Sequence, residues 1–175
     1  FPAKTIPEFI AYAKANPGKV NYGSAGQGTP QNIACELFKM MTGVNLVHVP
    51  YKGGAPAVVD LIAGFVQVIF APVSEAIQQI KGGKLRALAV TTTSRLEVLP
   101  DVPPLADFVP GYEASGFAGI GAPKATPVEI IDKLNKELNA GLANAKVKER
   151  IVELGGTAMG GTPAEFGKII ADATE

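Results

Sequence analysis

Residues 20–41 constrain the fold more than any other part of the chain. A short apolar run at 20–22 enters a turn with glycine at positions 23, 26 and 28, and the turn passes through Thr29-Pro30 into a helical pattern. A strand, a glycine-rich turn and a helix in that order are the start of an α/β unit. Thr29 is expected to cap the helix, with Pro30 at the first helical position, where a missing N–H costs nothing. The glycines allow φ > 0 and close approach of the backbone to a ligand. Free N–H groups of the first helical turn, with the positive end of the helix dipole, suit an anion such as a carboxylate or a phosphate. No charged side chain lies between Val20 and Cys35, so the backbone itself is the expected anion receptor.

The same alternation continues along the chain. A first helix is expected over 6–15, with Thr5 and Glu8 as a capping box and Pro17-Gly18 as its end. Strand 20–23 is followed by a helix over 30–41, on which Ile33, Leu37 and Met41 share one face. Then come strand 46–50, helix 56–63, strand 66–70, a short helix over 74–80 and a buried strand over 86–91. Strands alternating with helices predict an α/β fold with a mostly parallel sheet flanked by helices. Four prolines (Pro100, Pro103, Pro104, Pro110) and Gly111 mark a connector. Beyond it the pattern predicts one strand over 116–122 and helices over 127–142, 146–154 and 163–173. Thr126/Glu129 and Thr162/Glu165 read as two further capping boxes with proline at the first helical position. Ile130, Leu134, Leu138 and Leu142 form one apolar stripe. One strand makes no sheet, and three helices on it leave apolar faces uncovered, so residues 113–175 read as part of something larger.

Composition excludes several classes. Among 175 residues 47% are hydrophobic and 18% charged, which describes a chain with a sizeable core. Sixteen basic and sixteen acidic residues give a formal net charge of 0, with no basic stripe for nucleic acid. Apolar runs such as 66–73 are too short to cross a bilayer. The single Cys35 rules out an internal disulfide. The chain starts Phe1-Pro2 without Met, which reads as a processed or trimmed start.

Four stretches, in order, carry a resemblance. They are Asn21-Tyr-Gly-Ser-Ala-Gly-Gln-Gly-Thr-Pro30 with Glu36-Leu-Phe38, and His48-Val-Pro-Tyr-Lys-Gly-Gly-Ala-Pro56 with Asp60-Leu61. The third is Gly83-Lys-Leu-Arg-Ala-Leu-Ala-Val-Thr91 with Arg95 and Leu99-Pro-Asp-Val-Pro103, and the fourth Gly121-Ala-Pro-Lys-Ala-Thr-Pro127. Together they span nearly the whole chain and resemble the solute receptors of tripartite tricarboxylate transporters, the Bug proteins. The resemblance implies a periplasmic binding protein of two α/β lobes with a ligand cleft between them. It would close on a small organic acid or amino acid and hand it to membrane transporter subunits. Residues 1–112 would form the second lobe. Residues 113–175 would be the C-terminal part of the first lobe, whose N-terminal part is absent here.

The resemblance makes Ser24, Ala25, Gly26, Gly28 and Thr29 one jaw of the cleft, binding a carboxylate through backbone N–H groups and the two hydroxyls, directly or through water. Tyr51, Gly53 and Gly54 follow a strand that ends at Pro50, at the end of the sheet where ligands bind. Tyr51 either donates its hydroxyl to a carboxylate or packs its ring, and Lys52 reads as solvated. Ala71 ends the next strand and would complete the rim. The chain departs from the family's common residues at Ala71 (Asp), Asn32 (His) and Cys35 (Gly). His48, the only histidine, has no metal-ligand spacing and reads as structural. Cys35 reads as a small buried residue. Ser24 lacks a nucleophile elbow. No catalytic residue, metal or cofactor is expected.

Two other readings stand beside the receptor. One is an enzyme domain binding a phosphorylated or nucleotide ligand at the 23–29 loop. The spacing Gly23-x-x-Gly26-x-Gly28 is neither the dinucleotide fingerprint nor a P-loop, and no acid in 42–47 would hold a ribose. The other is an isolated lobe that dimerises by exchanging residues 113–175.

Overall fold

The computed structural model describes residues 1–173; the last two residues of the segment 113–175 lie outside that range. The chain divides into two compact units, Phe1–Gly116 and Phe117–Glu175, and each is described by itself.

The first unit is a small parallel sheet wrapped by helices. Strands β1 (Val20–Ser24), β2 (Leu46–Pro50) and β3 (Val68–Ile69) lie in the order β2-β1-β3. Residues 20–24 pair with 46–50, and Tyr22 and Gly23 with Val68 and Ile69. Helix α1 (Ile6–Ala15) precedes the sheet, α2 (Pro30–Thr42) and α3 (Gly54–Ala63) make the two crossovers, and α4 (Val73–Lys81) follows β3. Helix α1 starts where Thr5 accepts from the Glu8 N–H. The Glu8 carboxylate accepts from Lys4 N–H instead of Thr5 N–H, so only half of the expected box closes. Helix α1 buries Ile6, Phe9 and Ala13, one face at helical spacing. The core joins Phe9, Val20, Tyr22, Phe38, Leu46, Leu105 and Tyr112.

Gly23 marks a close approach of neighbouring elements to the sheet. A methyl group there would lie 3.2 Å from Ile69 and 3.4 Å from Ala57, so the absence of a side chain lets α3 and β3 close on β1.

Three expectations fail in this unit. The buried face of α2 carries Ala34, Cys35 and Phe38, while Ile33 and Met41 of the expected stripe are exposed. Both rows are helical in spacing, and the bulk of Phe38 goes against Phe9 and Phe70. The expected strand 66–70 pairs only at Val68–Ile69. The expected strand 86–91 makes one bridge, Val90 to Pro104. Its partner segment holds Pro103 and Pro104, which have no N–H to extend a ladder.

The second unit consists of helices α5 (Val128–Ala143), α6 (Ala145–Glu153) and α7 (Pro163–Asp172). The expected strand 116–122 is absent, with no partner strand among the described residues. Thr162 and Glu165 form the full capping box of α7. Thr126 does not cap α5, whose N-cap is Pro127. Asn139 holds both the N–H and the carbonyl of Gly161, tying α5 to the start of α7. No described residue of these three helices is buried. Ile130, Leu134 and Leu138 are 47%, 45% and 37% exposed. Open hollows of about 530 and 340 Å³ run along this uncovered stripe; they reflect exposed leucines rather than a shaped ligand cleft.

Candidate functional site

In a sheet ordered β2-β1-β3, the chain leaves β1 toward one side and returns on the other. The carboxyl ends of β1 and β3 then flank a topological switch point, where open α/β sheets hold ligands. The loops at these ends carry every expected site residue: 24–29 after β1, 51–54 after β2 and Ala71 after β3. Tyr51 N–H donates to the Ser24 carbonyl at 2.9 Å, which fixes the first loop against the second.

The 24–29 loop differs from the bare anion receptor expected of it, because side chains of the same unit already hold most of its amides. Ala25 N–H donates to Gln31 Oε1 at 2.7 Å, Gly28 N–H to Asn32 Oδ1 at 2.9 Å and Gly26 N–H to Ser24 Oγ at 3.1 Å. Thr29 does not cap α2; its hydroxyl donates to the Gly26 carbonyl at 2.7 Å. With φ of +133° at Gly26 and +72° at Gly28, this folded loop needs glycine at both positions. The amides of Gln31 and Asn32, in the first turn of α2, have no acceptor among the described residues and remain for a ligand or water.

Gln31 and Asn32 are the residues that sequence reasoning missed as supports. They are polar, 5% and 7% exposed, and stand on the buried side of α2. Two buried amides directly after Pro30 are the signal, since a buried amide needs partners. Gln31 donates its other end to Glu75 Oε2 at 2.7 Å. Asn32 donates to Tyr22 Oη, which in turn donates to Glu36.

Beneath the loop lies a closed polar layer. Ser24 is fully buried; its Oγ donates to the Gly26 carbonyl at 3.0 Å and lies 2.6 Å from His48 Nε2. The His48 ring stacks on Tyr22 at 4.7 Å. Burial, with the Glu36 hydrogen bond adding to it, drives the Tyr22 phenol well above its ordinary value. For Glu36, burial works against the charge, but hydrogen bonds from Lys39 and Tyr22 outweigh it and hold the carboxyl below its ordinary value. Burial likewise raises the Cys35 thiol, so Cys35 is the small buried residue expected of it. Ser24 and His48 are therefore held in a stacked, hydrogen-bonded layer.

Tyr51 has a hydrogen-bond partner within its own unit. Its hydroxyl donates to Asp60 Oδ2 at 2.7 Å, and burial together with that bond pushes the phenol up to about 12. Gly53 (φ +126°) turns the chain into α3, and Gly54 is buried at its first position. Ala71 is half-buried and brings no hydrogen-bonding side chain to the rim. No group of three His, Cys, Asp or Glu among the described residues could hold a metal ion, and no helix there is long and apolar enough to cross a membrane.

A parallel sheet whose strand ends are ringed by glycine turns and held amides is an open α/β unit. The chain matches the model of the tripartite tricarboxylate transporter family receptor over residues 1–175, and it belongs to that family, one of substrate-binding receptors rather than enzymes. A solved structure from R. palustris, Rpa4515 with adipate, is 34% identical with a TM-score of 0.94, covering 98% of this chain and 58% of that one. The periplasmic binding protein BugD is 35% identical with a TM-score of 0.90, over 98% and 58% of the two chains. MatC from Rhodopseudomonas palustris with bound malate is 26% identical with a TM-score of 0.85, over 98% and 60%. The chain spans about half the length, 52%, of the first curated relatives it matches.

Proposed function

We propose that this chain forms one wall of an extracytoplasmic solute receptor. It works in the periplasm, takes up a small organic carboxylate and delivers it to the membrane subunits of a tripartite transporter. The observation that carries this reading is the convergence of the loops 24–29, 51–54 and 70–72 at the switch point of a parallel sheet, in a chain whose solved relatives hold adipate and malate. Residues 1–112 are the second lobe in this reading, and 113–175 belong to the first.

The ligand contacts proposed are Ser24, Ala25, Gly26, Gly28, Thr29, Tyr51, Gly53, Gly54 and Ala71. The held amides change how they act: the loop presents a fixed surface, and the unpaired N–H groups of Gln27, Gln31 and Asn32 are the donors it leaves open. Recognition by backbone dipoles and water needs no arginine clamp, in keeping with a loop that carries no charge.

The test is a thermal-shift and calorimetric panel of C2–C8 mono-, di- and tricarboxylates on the full-length protein. A true ligand at about a hundred times its Kd stabilises by about 2.7 kcal/mol. A panel in which no carboxylate shifts the melting temperature sinks the reading. The uncovered stripe of α5 is covered, in this reading, by the remainder of its lobe. Exchange of residues 113–175 between two copies is the other way to cover it, and a clean monomer in sedimentation counts against that.

A further inference from the structure

One charged side chain reaches the residues that hold the 24–29 loop, and the receptor reading alone does not explain it. Glu75 stands in the first turn of α4, after β3. Its Oε2 accepts from Gln31 Nε2 at 2.7 Å, and Gln31 in turn holds Ala25 N–H. The same carboxylate lies against the start of α3: a methyl group at Gly54 would fall 1.9 Å from Oε2 and 2.5 Å from Oε1. The missing side chain at Gly54 is what gives the carboxylate its seat. Glu75 therefore touches the elements that follow β1, β2 and β3, while its Oε1 accepts no hydrogen bond among the described residues.

A negative charge with an open oxygen at that place bears directly on what binds there. A plain dicarboxylate brought to the strand ends meets a like charge. A ligand with an ammonium group beside its carboxylate meets an acceptor instead. Like-charge juxtaposition against one ligand and pairing with another is how a site separates two carbon skeletons of the same size.

Resting on the receptor reading above, we infer that Glu75 is a specificity-determining residue. It selects ligands that carry a cationic nitrogen next to a carboxylate, the zwitterions of the amino-acid class, over plain diacids of equal length. Gln31 positions it, and Gly54 makes room for it.

Matched pairs isolate the ammonium group: L-glutamate against glutarate, and L-aspartate against succinate, titrated into the full-length protein by calorimetry. The expected result is a preference for the amino member of about tenfold or more. Glu75→Gln is expected to bring that ratio close to one, by weakening the amino member and strengthening the diacid. Glu75→Asp, which keeps the charge but withdraws it by one methylene, is expected to fall between. Thermal unfolding of each variant checks that the exposed position leaves the fold intact. A wild-type preference for the diacids overturns the inference and leaves the receptor standing. So does a ratio that Glu75→Gln does not change, and so does an equal gain for both members, which would make Glu75 an internal competitor. No binding by any member of the pairs or of the wider carboxylate panel overturns the inference and the receptor reading together.

Discussion

Residues 1–116 and the described part of 117–175 are made of similar helices, yet only the first set builds a core. Helices α1 and α2 bury Phe9 and Phe38 to 2% and 0% exposure, and the sheet buries Tyr22 completely. Helices α5, α6 and α7 have helical spacing as good as α1, with side-chain caps on α6 and α7 and an apolar stripe on α5, and bury nothing among the described residues. Local signals decide whether a helix forms; whether it stabilises anything depends on what its stripe meets. The parallel sheet gives the first unit a surface to pack on, and the described residues of the second unit have none.

The largest expected effect separates the two units directly. Phe38→Ala in the core is expected to cost about 3–5 kcal/mol in denaturant unfolding, whereas Leu134→Ala on the exposed stripe is expected to cost less than about 1 kcal/mol in this chain. Equal costs would mean that the stripe is covered in solution. The next effect compares two amides that each hold a backbone group. Gln31→Leu leaves the Ala25 N–H without its acceptor in a partly buried place and is expected to cost about 1–3 kcal/mol. Asn139→Leu, whose bonds to Gly161 are exposed, is expected to cost about half that or less, since water replaces the partner. A third comparison stays inside the second unit. Thr162→Ala breaks a closed capping box and is expected to lower the stability of α7 by about 1 kcal/mol. Thr126→Ala removes a hydroxyl that caps nothing and is expected to stay within about 0.5 kcal/mol. Helical circular dichroism on heating reads both.

The smallest effect is electrostatic. The Glu36 carboxyl lies below its ordinary value of 4.5, because hydrogen bonds from Lys39 and Tyr22 outweigh its burial. A lowered carboxyl contributes stability above its unfolded value, and that contribution is lost as pH falls through its folded value. Acid titration of the first unit is therefore expected to show a loss setting in below 4.5 that Glu36→Gln removes. Persistence of that loss in Glu36→Gln would assign it to other carboxylates.

Most helices were legible because their ends carry residue-specific chemistry. Pro17-Gly18, Thr29-Pro30, Gly43 and Thr162-Pro163 place boundaries that hold to within a residue or two. The family was legible from four motifs in order, which is more than any single turn conveys. What misled was pattern without partner. Residues 86–91 have the apolar run of a buried strand, but pairing depends on the neighbour, and the neighbour is proline. Residues 116–122 have the run and no neighbouring strand among the described residues. Thr126 has the spacing of a capping box, but the helix begins one residue too late to use its hydroxyl. At the candidate site the loop glycines and the strand ends were legible. The filling of its amides was not, because Gln31, Asn32 and Glu75 reach it from positions 6, 4 and 44 residues away along the hydrogen-bonded chain.

The bridge from Ala25 through Gln31 to Glu75 also sets a clock. Ala25 sits in a surface turn, where amide hydrogens normally exchange with solvent at nearly the rate of an unstructured peptide. Its hydrogen is held by a side chain that is itself 5% exposed and anchored at the far end. It can leave only when the Gln31 amide swings out, so its exchange rate counts how often the strand-end loops part company. Gln27, two residues on and exposed, has no such tether. The two amides form a built-in pair of slow and fast hands on one loop.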